Sequence, residues 1–420
     1  MDMSKTYDIT LTTLTYGGDA MGRLPDPLTG ASSRAVFVPF GLPGEKVRVR
    51  LTEEKRGFAR GEIVEILDAS PERIQPKCKH FGQCGGCHYQ HLSYESQLKY
   101  KADILRDQLQ RIGKIENPPV KQTMASPSAW NYRNHVQFSL TSNGKIGFQA
   151  PNSNQVIEIS ECHLPESSIN DFWPQLEFES ETGIERVSVR KGMNDELMLV
   201  LESDSPGTPE FEIEADISVA HVFDGHAVVI AGEDHITMKI LDREFRVSAS
   251  SFFQVNTAMA EKMVTHLLNQ LSITNNSFTV LDVYCGVGLF SAFLAPKCKQ
   301  LMGIESSESA CEDFAFNLDE FGNVELYEDF AENVLPTLDI KPDIVLVDPP
   351  RAGVEKEALD AIVKMNPKMI AYVSCDPSTL ARDAARLINN GYKLSGVTPF
   401  DLFPQTYHIE SISIFENISR

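Results

Sequence analysis

From about residue 257 the chain alternates helical stretches with short, largely apolar strands, and this rhythm limits the fold more than any other feature. A helical pattern over 257–271 leads into Phe278-Thr279-Val280-Leu281-Asp282-Val283, then a glycine turn and a further helix. Apolar runs at 301–304, 324–326, 344–347 and 370–373 follow, separated by helical patterns near 307–321, 355–365 and 378–389. Strands without polar alternation are covered on both faces, the condition of strands in a doubly wound parallel sheet. Residues 410–415 alternate instead, and are expected to add an antiparallel strand.

Upstream the rhythm differs. Residues 7–68 read as short strands punctuated by Gly17-Gly18 and Gly41-Leu42-Pro43-Gly44, which suggests a small barrel of the oligonucleotide-binding kind. Arg48, Arg50, Lys55, Arg56 and Arg60 cluster on or beside one hairpin, as an RNA contact would require; basic residues also protect exposed sheet edges. Ser93 opens a helix with Leu98, Leu105, Leu109 and Ile112 on one face and Gly113 as its stop. Residues 130–247 look mainly β, with a Ser-, Pro- and acid-rich loop over 202–216. The expected division is a barrel at 1–68, a central mainly β domain at 69–250 and an α/β domain at 251–420. The helix near 93–112 is free to pack on the last of these.

Charge separates along the chain. The total of 38 Lys and Arg against 59 Asp and Glu gives −21, yet residues 1–130 hold 18 basic against 15 acidic residues. The densest acid lies in 151–235, with 19 acidic residues against Arg186, Arg190 and Lys191. Binding to a polyanion needs a local basic face and not a basic sum, so an acidic total leaves RNA open and predicts an oriented approach. No apolar run approaches the roughly 20 residues that cross a bilayer, and the first residues lack a secretory profile. A cytoplasmic monomer is expected, and with it reduced thiols rather than a disulfide framework.

Asp282-Val283-Tyr284-Cys285-Gly286-Val287-Gly288 carries a buried strand into a glycine turn that opens a helix. Glu305 follows Gly286 by 19 residues, at the end of the next strand, where a carboxylate meets ribose hydroxyls in nucleoside-binding folds. The third glycine of the dinucleotide pattern is missing, which favours S-adenosylmethionine over NAD. Asp348-Pro349-Pro350-Arg351 ends the fourth strand, and Ser374-Cys375-Asp376-Pro377 the fifth, at the same sheet edge. A cysteine at that edge, rather than inside the strand, suits a nucleophile.

Ser374-Cys375-Asp376-Pro377-Ser378-Thr379-Leu380-Ala381-Arg382-Asp383, Phe400 to Glu410 and Ser251-Phe252-Phe253-Gln254-Val255-Asn256 together resemble the RNA (uracil-5)-methyltransferases that modify tRNA and large-subunit rRNA. The resemblance runs along essentially the whole chain. It implies Cys375 as nucleophile and Glu410 as general base. It also implies Gln254, Tyr284, Glu305 and Asp348 as S-adenosylmethionine contacts, with Asp329 a further candidate for the adenine. The barrel resembles a TRAM domain. Uracil carbon 5 is a poor nucleophile; a thiolate added at carbon 6 turns the ring into an enolate that can accept a methyl group, and a base must then remove the carbon-5 proton.

Cys78-x5-Cys84-x2-Cys87 with Cys162 offers four thiolates, and Gly82, Gly85 and Gly86 allow a tight loop. Zinc commonly takes paired Cys-x2-Cys knuckles, and only one is present. The pattern resembles the 4Fe–4S motif of rRNA-type members of the same family, which implies a structural or RNA-positioning cluster and leans towards 23S rRNA over tRNA as substrate. A non-catalytic RNA-binding relative, or a DNA cytosine-5 enzyme, is disfavoured by the intact Cys375, Glu410 and cofactor turn and by the Ser-Cys-Asp-Pro setting.

Overall fold

The computed structural model describes residues 5–25, 32–180, 182–207, 216–271 and 277–418. Most of the acid-rich loop expected over 202–216 lies outside them. Thr6–Leu14, Ala20–Pro25, Ser32–Val38, Lys46–Glu54 and Phe58–Asp68 close into a five-stranded barrel. Alternation in Lys46–Glu54 puts Val47, Val49 and Leu51 inside and Arg48 and Arg50 outside. The outward cations find acids. Arg48 pairs with Asp8 at 2.8 Å and Glu65 at 2.9 Å, Arg50 with Glu62, and Arg60 with Asp19 at 2.9 Å. Exposed pairs of this kind contribute about 0–1 kcal/mol each, and here their main effect is to neutralise the hairpin face.

A seven-stranded sheet fills the middle of the chain, ordered His226–Ala231, Ser218–Phe223, Leu197–Ser203, Ile184–Lys191, His135–Leu140, Ile146–Gln149, Val156–Glu158. The hairpin His235–Ile240 and Arg243–Ser248 stands apart from it, with Ile236, Met238, Phe245 and Val247 buried beside Met259, Met263 and Leu267 of the helix Thr257–Leu271. The hairpin also packs on the helix Glu308–Asn317, so a boundary at 250 divides a core that these residues share.

The catalytic sheet has the order Val324–Glu328, Gln300–Glu305, Thr279–Val283, Ile344–Val347, Met369–Ser374, Glu410–Asn417, Tyr392–Phe400. The first five strands are parallel, and Glu410–Asn417 inserts antiparallel to both its neighbours. All five parallel strands point their carboxyl ends to one edge, where ligands bind in such folds.

The helix Tyr94–Arg111 is capped by the Ser93 hydroxyl and lies against the helix Pro377–Asn389. Its inward face is more polar than expected. Gln97, Lys101 and Gln108 are buried with Ile104, Leu105 and Leu109, whereas Ile112 is exposed. The polar residues point to the catalytic loops: Gln97 Nε2 donates to Gln405 Oε1 at 3.0 Å, and Lys101 Nζ to Asp401 Oδ1 at 2.6 Å. Both ends of the second pair are fully buried, so each charge depends on the other.

Candidate active site

Cys375 follows the strand Met369–Ser374, and Glu410 opens the strand paired with it. Their register pairs Ser374 with Ser411, so one further step sets Cys375 opposite Glu410. Ser374 Oγ accepts from Asp376 N and donates to Asp376 O, which ties down the backbone on either side of the thiol. Asp376 then caps the following helix, accepting from Ser378 N at 2.8 Å and Thr379 N at 3.1 Å.

Burial shifts both groups, and Glu410 acts on the thiol as well. Burial pushes Glu410 up to about 8; Asp348 adds to this, while Arg351 and Lys101 oppose it. Burial likewise pushes the Cys375 thiol up to about 12, with Glu410 and Asp348 adding and Arg351 opposing. Before substrate enters, both groups hold their protons at neutral pH. Arg351 is the cation that faces both. Nothing in the local pattern around Arg351 marks that role. Lys101 was detectable, as a cation three residues after Leu98 and four before Leu105 on an otherwise apolar stripe.

Four of the candidate cofactor residues, Tyr284, Glu305, Asp329 and Asp348, lie at the carboxyl ends of neighbouring strands. Tyr284 adopts φ +64° in the turn, and its N–H donates to Ile304 O. Glu305 Oε2 accepts from Gly286 N at 2.9 Å, while Oε1 accepts from Ser306 N and Ser307 N. Asp329 N donates to Glu305 O, and Asp348 N to Val283 O. Asp329 is exposed, with Oδ1 accepting from Phe330 N and Asn333 Nδ2. Gln254 is nearly buried beside Asn134, whose amide donates to Gln254 O. Burial, with Glu305 nearby, lifts Asp348 to about 7. Asp282, which carried no assignment, is buried below the turn and bonds Ser291 Oγ at 2.6 Å.

The turn leaves room for a ligand. Gly286 has φ +54° and a Cβ there would meet nothing within 4 Å, whereas one on Gly288 would lie 2.4 Å from Leu318 Cδ1. The first glycine leaves space above the backbone and the second lets the following helix pack. A carboxylate anchored at the turn, with two further acids on neighbouring strand ends, suits a nucleoside that carries a positive sulfonium.

A model of the tRNA (uracil-5-)-methyltransferase family matches residues 224–418, and one of the TRAM domain matches residues 4–64. An RNA methyltransferase of Halalkalibacterium halodurans is 33% identical over 99% of this chain and 98% of its own. The chain belongs to the tRNA (uracil-5-)-methyltransferase family. It is accordingly an S-adenosylmethionine-dependent RNA methyltransferase with an amino-terminal TRAM barrel. A second relative, from Chlorobaculum tepidum, is 33% identical over 89% of each chain. Among solved structures, the Pyrococcus abyssi tRNA (uracil-54, C5)-methyltransferase in complex with S-adenosyl-L-homocysteine superposes with a TM-score of 0.71, covering 97% of this chain and all of that one at 24% identity. This likeness extends the shared fold across barrel, central sheet and catalytic sheet.

Cys78, Cys84, Cys87 and Cys162 surround a cavity of about 320 Å³ that Arg133 also lines. All are free thiols. Burial raises all four, Cys87 to about 12 and Cys162 to about 11, so a thiolate here needs a compensating cationic centre. Among the described residues, no three of these sulfurs come within 4.8 Å of one another, whereas a zinc ion with bonds of about 2.3 Å holds its ligands closer than that. The four thiols and the half-buried Arg133 together offer the donors and the balancing charge that an anionic metal centre requires. Among the described residues, no helix is long and apolar enough to cross a membrane.

Proposed function

We propose that this enzyme methylates carbon 5 of a uridine in RNA through a covalent bond from Cys375 to uracil carbon 6. The register that sets Cys375 opposite Glu410, beside Asp348 and Arg351, carries the proposal. The Cys375 thiol loses its proton to solvent as Arg351 steadies the anion; the thiolate adds to carbon 6, and the ring electron pair moves to the carbon-4 oxygen. Carbon 5 of this enolate takes the sulfonium methyl, and S-adenosylhomocysteine leaves. Glu410, as carboxylate, removes the carbon-5 proton; the carbon 5–carbon 6 double bond re-forms and the thiolate departs. Arg351 would balance the charge of thiolate and enolate in turn. Gln254, Tyr284, Glu305, Asp329 and Asp348 would hold the cofactor, with Asp348 also close to the uracil.

Cys78, Cys84, Cys87 and Cys162 would hold a 4Fe–4S cluster. Bound there, it would supply a rigid anionic knot joining the 78–87 loop to the central sheet, with every iron occupied by cysteine and no open position for substrate. The four-thiol loop supports 23S rRNA as the substrate over tRNA, acted on by a monomer.

The test is incubation with methyl-labelled S-adenosylmethionine and unmodified 23S rRNA or tRNA, followed by digestion to nucleosides. Labelled 5-methyluridine in rRNA is expected. Cys375→Ala should yield neither product nor RNA adduct while still binding cofactor and RNA. Label confined to tRNA would reject the rRNA assignment, and turnover by Cys375→Ala would reject the covalent route.

A further inference from the structure

The turn that joins the first two barrel strands does not face solvent; it reaches the catalytic loops. Tyr16 Oη donates to Asp376 Oδ2 at 2.9 Å, a bond between residues 360 apart in sequence. The ring of Tyr16 packs edge-on against Tyr407, centroids 5.7 Å apart, and Tyr407 packs on His408 at 4.4 Å. Glu410 follows two residues later. Gly18, at φ +95°, comes so close that a Cβ would sit 3.5 Å from Tyr407 Cδ1 and 3.3 Å from His88 Cβ. One turn thus touches both the loop that carries the nucleophile and the loop that carries the base.

The turn is stiff enough to act as a gauge. Thr15 N and Thr15 Oγ1 both donate to Asp19 O at 2.9 Å, Gly18 N donates to Thr15 O, and Asp19 is tied to the barrel wall by Arg60. On the other side, Asp376 divides its carboxylate. Oδ1 caps the helix Pro377–Asn389, and Oδ2 is left for Tyr16. The cap alone fixes the helix but leaves the carboxylate free to pivot about Oδ1. The second bond removes that freedom one residue from the reacting sulfur.

We propose that Tyr16 is a positioning residue for the methyl transfer: through Asp376 the barrel sets the nucleophile loop, so the TRAM domain completes the active site as well as holding RNA. The proposal rests on Cys375 as nucleophile. Burial beside Asp376 pushes the Tyr16 phenol well above its ordinary value, so it remains a donor at every working pH.

Tyr16→Phe removes the hydroxyl and keeps the ring contact with Tyr407. Steady-state kinetics on the full-length enzyme should show kcat reduced about tenfold, as for a lost hydrogen bond to a charged group. The KM values for RNA and for S-adenosylmethionine should stay within about twofold, because positioning differs from binding. In an Asp376→Ser background, which keeps a capping hydroxyl too short to reach Tyr16, adding Tyr16→Phe should cost nothing more. A raised RNA KM with unchanged kcat would overturn the proposal and make Tyr16 an RNA contact. An equal loss in the Asp376→Ser background would also overturn it, since the hydroxyl would then act elsewhere. Failure of the underlying chemistry shows separately, as activity in Cys375→Ala run alongside.

Discussion

Glu410 illustrates how far a single residue departs from its sequence context. In sequence it is one acid in a run of mixed residues, and only the family resemblance marked it; the fold buries it beside Asp348 and lifts it to about 8. Its folded value lies above the unfolded one, so between about pH 4.5 and 8 the folded state binds more protons than the unfolded. That contribution to stability is full below the lower value and is lost as pH rises through the upper. Glu410→Gln mimics the protonated form. Its melting temperature should therefore gain on the wild type as pH rises from 5 to 9, and a constant difference in scanning calorimetry would contradict the burial argument. As base, the carboxylate should give kcat a rising limb near pH 8. Glu410→Gln should lose about 10²–10⁴-fold in turnover and accumulate methylated RNA still bonded to Cys375, seen as a slow band on denaturing gels. Normal turnover without trapped adduct would move the base elsewhere. Cys375 was more legible, because its place after an apolar strand is a sequence property. Arg351 was not, and Lys101 showed only as a misplaced cation without its partner Asp401, since that partner lies on a distant segment that only the packed molecule brings close.

Elements were legible in proportion to how strongly burial shaped them. The strands Thr279–Val283, Ile344–Val347 and Met369–Ser374 are covered on both faces, and their largely apolar runs without alternation announce it. Tyr392–Phe400 escaped notice because Gly396 and Pro399 read as breakers; a register shift absorbs the first, and the strand lies at the sheet edge, where proline is tolerated. His226–Ala231 was missed for a related reason. It is an outer strand with exposed Val228 and Val229, so it shows no inward-outward alternation. The 78–87 loop has almost no regular structure, and its cysteine spacing was the whole signal. If it holds a cluster, anaerobically purified protein should show broad visible absorption that air or Cys84→Ser removes, with S-adenosylmethionine binding retained because the cofactor turn is on another element. Colourless protein with stoichiometric zinc would reject the cluster.

At the scale of the whole molecule, sequence revealed the charge imbalance but not where the basic groups become useful. The hairpin that looked basic carries most of its cations already paired, Arg48 with Asp8 and Glu65, and Arg50 with Glu62. The more suitable surface is a cleft of about 1060 Å³ between barrel, 78–87 loop and catalytic loops, where Arg23, Arg111 and Arg351 meet Tyr16, Tyr407 and His408. It leads to the catalytic loops, and the acid-rich central region would keep a polyanion off much of the remaining surface. Each phosphate neutralised in this cleft releases counterions, so RNA affinity should fall with salt. Arg23→Ala should reduce the log–log salt slope by about 0.7–0.9, while Arg48→Ala, whose charge is already balanced, should leave it unchanged. Binding titrations across a salt series decide between the two faces. A slope that responds to Arg48 and ignores Arg23 would place the RNA on the outer hairpin, away from the cleft lined by Arg351, Ser378 and His408.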